Sequence, residues 1–350
     1  MLTRNPFLHI GPDRIYDPLS DRTLIAGDER YARLRSFLEG GAADDGLVAD
    51  GWIVRADEDL STRHRLKIVS LETMTTCNQK CYFCPVSIAP RDDYAMPQAL
   101  FDRVLDELTK YPTLEAVFLQ SYNEPTVDRR FVDHVKALFA RNLPVAVLSN
   151  GSGLTPAKVD AIMEAGQLRY LCINLSTLDR ERYIEDRGAD HLAVVMRNID
   201  ALKDRPLAAE MKIVVLGTGD DNHARDFEAV NARYGGSLFK VEQHVVMDRA
   251  GWLDVGVKPE EKRKRLAGCD NVGSRPIQHL HITPHGQCVL CCEDYDEKYV
   301  VGDVTKNTIA EVLEGPEMAK MRRWVYGLED APDDFICRGC IYARADSSRS

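Results

Sequence analysis

Between residues 66 and 250 the chain alternates short apolar runs with longer stretches whose apolar positions recur every three or four residues. The runs at 66–71, 116–120, 145–149, 170–175, 212–216 and 238–246 read as strands. The stretches 97–108, with Leu100, Val104 and Leu108 on one face, 130–140, 156–165, 191–202 and 223–234 read as amphipathic helices. Thr155 followed by Pro156 supplies an N-cap and a first-turn residue. Such alternation is the pattern of β/α units around a parallel sheet. Six strands predict an α/β fold, a partial (β/α)6 TIM-like barrel, with chemistry at the C-terminal ends of its strands.

The pattern changes on either side of this core. Residues 1–65 read as a small α+β unit, with a helix over Glu29–Leu38, a Gly- and Asp-rich turn at 40–45 and an apolar return at 52–54. Residues 251–350 read as a third unit. A connector at 249–257 leads into it, and a hairpin forms from 279–283 and 287–292 around Pro284-His285-Gly286. A helical segment at 308–325 breaks near Gly315-Pro316, because proline suits a first turn and not a helix interior. The tail 344–350 is polar and expected to fray. No repeat or low-complexity tract is evident.

Composition narrows the classes. With 44% hydrophobic and 29% charged residues, the 350-residue chain is ordinary for a globular protein of two or three units. A net charge of -10 argues against nucleic acid as a partner and for small molecules or peptides. The N-terminus has no apolar signal core, and no run approaches a membrane span, so a cytoplasmic protein is expected. Ten cysteines in such a chain read as metal ligands or reactive thiols before disulfides.

Three of them, Cys77, Cys81 and Cys84, form C-x3-C-x2-C just after the first predicted strand. Three thiolates at this spacing hold three irons of a 4Fe-4S cube and leave the fourth open. A structural zinc site is the other reading, although zinc favours four ligands in paired sets. The triplet, with Phe83 before its last cysteine, resembles the signature of the radical S-adenosylmethionine (radical SAM) superfamily. The resemblance implies a barrel of that type, a 4Fe-4S cluster whose open iron is chelated by SAM, and a 5'-deoxyadenosyl radical that abstracts a substrate hydrogen. It also implies an electron donor such as a flavodoxin or ferredoxin.

Further positions carry the same likeness. Gln120-Ser121-Tyr122-Asn123-Glu124-Pro125 stands where the family has Gly-Gly-Glu, with Tyr122 and Asn123 in place of the glycines. The resemblance assigns Asn123 and Glu124 to the SAM amino group. It places Asn150, in Ser149-Asn150-Gly151, beside the cofactor, Ser176 at the ribose and Arg187 at the SAM carboxylate, which suits bidentate guanidinium geometry. Ordinary surface roles remain open for Ser176 and Arg187.

A second set, Cys269, Cys291, Cys337 and Cys340, with Gly286 five residues before Cys291, resembles the auxiliary-cluster region called SPASM or, in its shorter form, Twitch. Four thiolates close a 4Fe-4S cluster; structural zinc is again the alternative. No cysteine follows Cys340, so the one-cluster Twitch form is expected. Neighbours on a strand face opposite ways, which leaves Cys292 off the cluster if Cys291 is on it. Cys172, Cys288 and Cys292 are candidate hydrogen-atom donors, or buried core thiols. The resemblance implies dehydrogenation or epimerisation of a small polar metabolite, aminocyclitol- or sugar-like. Maturation of a ribosomally made peptide, with residues 1–65 as a recognition unit or a plain cap, is a second reading, and a non-enzymatic iron-sulfur or zinc protein a third.

Overall fold

A computed structural model of the chain describes residues 1–345. Six parallel strands run through its centre: β1 (Ile68–Leu71), β2 (Ala116–Phe118), β3 (Val145–Ser149), β4 (Leu168–Leu175), β5 (Ala208–Gly217) and β6 (Lys240–Val245). They pair in sequence order, β1 beside β2 through to β5 beside β6, with registers such as Ile68 opposite Ala116 and Lys212 opposite Lys240. This is the predicted half-open barrel. Helices Gln98–Leu108, Phe131–Ala140, Pro156–Met163, Leu192–Leu202 and Asp221–Tyr234 cover it. Their buried stripes, for example Phe101, Val104, Leu105 and Leu108, join Val69, Val117, Val147 and Ile173 in one large core. Thr155 caps its helix as expected, accepting from the Lys158 amide.

Three differences from the sequence reading bear on the site. The highly charged segment Arg180–Arg187 is a helix, capped by Asp179 at one end and by Gly188 in the left-handed region at the other. The sheet also does not stop at the barrel. Strand β7 (His279–Ile282) lies parallel to β1, and β8 (Gln287–Val289) and β9 (Val300–Asp303) follow antiparallel, giving one nine-stranded sheet. The cysteine-rich hairpin β7–β8 is thus a continuation of the barrel sheet. Finally, Ala343–Ala345 is not frayed; it pairs antiparallel with Leu266–Cys269. The expected fraying of 346–350 lies outside the described residues.

The N-terminal unit holds the predicted helix Glu29–Leu38, a short helix Asp45–Ala49 not foreseen, a strand pair Leu2–Arg4 with Ile53–Arg55, and a three-stranded antiparallel sheet over His9–Ile10, Arg14–Asp17 and Arg22–Ile25. Ile15, Leu34, Leu47 and Trp52 form its own core. It is fastened to the last hundred residues: Gln278 Nε2 donates to Tyr16 Oη (2.7 Å) and the Pro18 carbonyl (2.8 Å), and Arg322 donates to the Ser61 carbonyl (2.8 Å).

Candidate active site between two cysteine sets

The Cys77–Cys84 loop leaves the C-terminal end of β1 and is pinned by the ends of three other units. Helix Arg180–Arg187 accepts from it through the Arg187 and Asp186 carbonyls, to Lys80 N at 2.9 Å and Tyr82 N at 3.1 Å. Gly188 lets the helix end so close to the loop that a Cβ there would meet the Lys80 carbonyl at 3.0 Å. Gln79 Nε2 donates to Tyr183 Oη at 2.8 Å, and Asn150 Nδ2 to Asn78 Oδ1 at 2.8 Å. The three thiols are gathered and desolvated. Burial pushes Cys77 up to about 12 and also raises Cys81 and Cys84, with neighbouring cysteines adding to the shifts of Cys77 and Cys84 and Arg187 opposing that of Cys81. Such a trio becomes thiolate when a metal cation supplies the missing positive charge, which fits an iron-binding role.

Arg187 stands beside them. Its Nε donates to Ser176 Oγ (3.0 Å), its Nη1 lies 3.8 Å from Cys81 Sγ, and its guanidinium sits 4.9 Å from the Phe83 ring centre. Its Nη2 is buried without a partner. A buried unpaired cationic donor next to the thiols fits an acidic ligand group such as the SAM carboxylate. Phe83, Ser176 and Arg187 are therefore brought together.

Asn123, Glu124 and Asn150 are placed differently: their side chains hold loops. Glu124 accepts from Thr126 N (3.0 Å), Thr126 Oγ1 (2.5 Å), Ser149 Oγ (2.7 Å) and Asn150 N (2.6 Å), which occupies both carboxylate oxygens. Burial raises its carboxyl above the usual range while these donors favour the anion. Asn123 Oδ1 takes the Ser121 amide (3.1 Å), and Asn150 Oδ1 takes Ser152 N (2.9 Å) and Ser152 Oγ (2.6 Å). A side-chain contact from Glu124 to an amino group conflicts with this packing. The residue instead clamps the loops after β2 and β3 together, and its own amide donates to the Thr76 carbonyl (3.1 Å) beside the cysteine loop.

Tyr122, the departure from Gly-Gly, has a role the sequence did not disclose. Its amide donates to Glu72 Oε1 (2.9 Å), and its hydroxyl donates to the Cys292 carbonyl. Glu72 is held bidentately by Arg91 at 2.6 and 2.9 Å, and Tyr295 packs edge-on against Tyr122 at 4.7 Å. A glycine here would remove the bridge between the barrel loop and the cysteine hairpin.

In the second set, Cys269, Cys291, Cys337 and Cys340 line one cavity with Arg275, Glu293 and apolar walls from Leu290, Val325 and Ile336. Among the described residues no three His, Cys, Asp or Glu side chains are placed to hold a single metal ion. Four thiols lining one cavity can supply the four thiolates of a 4Fe-4S cluster. Cys291 Sγ also accepts from the Glu293 amide (3.4 Å), and burial raises all four thiols. Cys292 Sγ turns to Glu293 Oε1 (3.6 Å) and is not among the lining residues; the strand expected over 287–292 ends at Val289, so a turn and not strand alternation separates Cys292 from Cys291. Cys288 is wholly buried near Val304 and Asp303, and the charged neighbours of Cys172 are Lys212, Glu242 and Glu210.

A further cavity of about 380 Å³ lies at the C-terminal end of β6. Phe83 of the first loop and Tyr342 of the last turn both line it, with Leu216, Gln243, Met247 and Arg249. Arg249, with φ 54, reaches Glu293 Oε1 at 3.5 Å. No motif marked Arg249, Arg91, Arg275 or Glu293. The only usable signal was their closeness in sequence to ligand cysteines or loops.

Comparison with known families agrees with this geometry. The model of the radical SAM superfamily matches residues 71–229, and that of the SPASM iron-sulfur cluster-binding domain matches residues 269–341. The chain belongs to the radical SAM superfamily and carries a C-terminal SPASM-type domain. These domains imply SAM, a SAM-binding 4Fe-4S cluster and auxiliary iron-sulfur binding. A tungsten-containing aldehyde ferredoxin oxidoreductase cofactor-modifying protein of Pyrococcus furiosus is 30% identical over 101 residues, 29% of this chain and 28% of that relative. That match spans less than a third of the relative's length. An S-adenosyl-L-methionine-dependent 2-deoxy-scyllo-inosamine dehydrogenase of Niallia circulans is 20% identical over 278 residues, 78% of this chain and 92% of that protein. Among solved structures, Streptococcus suis SuiB bound to precursor peptide SuiA superposes with a TM-score of 0.57 at 11% identity, over 92% of this chain and 90% of that one, a likeness of fold. Among the described residues no helix is long and apolar enough to cross a membrane.

Proposed function

We propose that this radical SAM enzyme abstracts a hydrogen atom from a small polar metabolite, aminocyclitol- or sugar-like, and completes a dehydrogenation or epimerisation. The observation that carries it is this cavity: its lining includes Phe83 of the first cysteine loop and Tyr342, close in the chain to Cys340 of the second set, and its volume suits a small substrate. The relative matched over 92% of its length, a dehydrogenase, supports the same class.

In this reading Cys77, Cys81 and Cys84 hold the SAM-binding cluster, and Cys269, Cys291, Cys337 and Cys340 hold one auxiliary cluster of the Twitch form. Reductive cleavage of bound SAM supplies the hydrogen-abstracting 5'-deoxyadenosyl radical, with a flavodoxin- or ferredoxin-like donor providing the electron. Arg187 takes the SAM carboxylate through its unpaired Nη2, held in place by Ser176 and Phe83. The Tyr122–Cys292 bridge ties the loop after β2 to the cysteine hairpin, and Arg249 and Tyr342 line the cavity where substrate would sit.

The test is anaerobic reconstitution followed by reduction with dithionite in the presence of SAM. About eight irons per chain and formation of 5'-deoxyadenosine are expected; zinc without iron, or no SAM cleavage with any substrate, overturns the proposal. With an aminocyclitol panel, loss of two hydrogens marks dehydrogenation, whereas deuterium uptake from heavy water at unchanged composition marks epimerisation.

Peptide maturation is the second reading. It is favoured by the N-terminal three-stranded sheet, whose outer strand Arg22–Ile25 is exposed except at Leu24 and offers a free edge for an added strand. Binding of a precursor peptide to the full chain, weakened by proline at Thr23, supports it; insensitivity to that substitution removes it.

A further inference from the structure

The auxiliary cavity contains a cation that no motif marks. Arg275 opens the short helix Arg275–Gln278, six residues after Cys269, and its side chain joins the four cysteines in lining the cavity. Two of its three nitrogens are tied down: Nη1 lies 3.2 Å from His281 Nε2, and Nη2 donates to Asn271 Oδ1 at 3.1 Å. The third, Nε, is buried and has no partner. His281 is itself buried, and burial together with Arg275 keeps its imidazole neutral, so its Nε2 serves as an acceptor and holds the guanidinium without competing for charge. An arginine anchored at two corners with its remaining buried donor free is built to meet an acceptor in the cavity.

We infer that Arg275 is a positioning residue for the auxiliary cluster, giving its Nε–H and its positive charge to the cluster and so raising that cluster's reduction potential. The inference rests on the assignment of Cys269, Cys291, Cys337 and Cys340 as its ligands. With four thiolates a 4Fe-4S cluster is a dianion when oxidised and a trianion when reduced. In a cavity walled by Leu290, Val325 and Ile336 the added negative charge is poorly screened, so a fixed guanidinium stabilises the reduced form more than the oxidised one. The opposing charge is Glu293, which lines the same cavity with a buried, unpaired Oε2, while its Oε1 lies 3.5 Å from Arg249. Arg275 and Glu293 therefore act with opposite sign on one potential. A cluster poised upward suits an acceptor of electrons from substrate more than a supplier of them.

The experiment is an anaerobic redox titration of the reconstituted full chain, without substrate, followed by electron paramagnetic resonance, with iron and sulfide counted for each variant. Arg275→Gln is expected to make reduction of the auxiliary cluster at least tenfold less favourable, 59 mV for a one-electron couple. Arg275→Lys retains most of the potential, and Glu293→Gln raises it. The signal that responds to added SAM identifies the first cluster, which stays unshifted. An unchanged potential in an Arg275→Gln protein with full iron overturns the inference. If Arg275→Gln does not load, the other pair decides: a raised Glu293→Gln potential with a near-native Arg275→Lys one supports the inference, and any other pattern overturns it. Zinc in the second set overturns it while leaving SAM cleavage at the first intact, so its failure is distinct from failure of the proposed chemistry.

Discussion

Arg187 shows how much one side chain carries here. Of its donors, Nε is satisfied by Ser176, Nη1 lies near Cys81, and Nη2 has no partner in a buried setting. Arg187→Lys keeps the charge but loses the planar fork and the stacking on Phe83. We expect SAM affinity to fall at least tenfold, about 1.4 kcal/mol, in equilibrium dialysis of the reconstituted protein; native-like affinity would remove Arg187 from the site. A second residue-scale expectation lies far from both cysteine sets. His134 is 2% exposed and stacks on Phe101 at 4.2 Å, and burial lowers its pKa to about 4 from an ordinary 6.5. The folded state thus prefers the neutral ring, and the unfolded chain binds the extra proton first as pH falls. Its contribution is complete above pH 6.5 and drains away toward pH 4. Between pH 7 and 5 the urea midpoint should drop less in His134→Leu than in the parent, and equal drops would refute the assignment.

At the scale of elements, the last helical pair offers a clean measurement. Thr308 and Glu311 form a reciprocal capping box at the start of Ile309–Glu314, whose Ile309, Val312 and Leu313 are buried. Thr308→Ala should cost about 1 kcal/mol in chemical denaturation, with cluster content unchanged; no loss of stability would mean that packing alone fixes this helix. Elements with a complete local signal were legible. Val145–Ser149 and Glu29–Leu38 stand where the apolar spacing put them, and the break at Gly315-Pro316 separates two helices as proline requires. Arg180–Arg187 was missed because only Tyr183 and Ile184 are apolar in it, too few to make a stripe. Its caps, Asp179 and Gly188, were in plain view, and they outweigh the weak periodicity. The strands at 9–25 are two to four residues long and owe their existence to cross-strand pairing, which local pattern does not carry. Of the site, the grouping of Cys77, Cys81 and Cys84 in one loop and of Cys269, Cys291, Cys337 and Cys340 around one cavity was readable, because their spacing is itself the motif. The loop-holding duties of Asn123, Glu124 and Asn150 were not, since the same residue types satisfy neighbouring amides as readily as a cofactor.

Across the whole molecule, the deciding fact is that the cysteine hairpin extends the barrel sheet through β7 and is backed by the N-terminal unit, some 270 residues earlier in the chain. Phe7 is fully buried and meets Tyr326 edge-on at 4.7 Å. The Tyr326 hydroxyl bonds His9 Nε2 at 2.9 Å and Ser274 Oγ at 2.7 Å, and His9 Nδ1 lies 3.1 Å from Asp270, the neighbour of Cys269. The backing reaches the first cysteine of the auxiliary set and the turn that aims Arg275. Phe7→Ala leaves a cavity under Tyr326 and should cost roughly 3–5 kcal/mol, a large share of the 5–15 kcal/mol typical of a folded domain. The damage should be local. The first set hangs on β1, helix Arg180–Arg187 and Glu124, none of which touches Phe7 through these bonds. The variant should therefore lose about four of about eight irons and its auxiliary resonance signal, while still cleaving SAM to 5'-deoxyadenosine. Loss of both clusters together would show that the barrel depends on this contact as well. Full retention of iron would show that the four cysteines hold their cluster without support from the N-terminal unit.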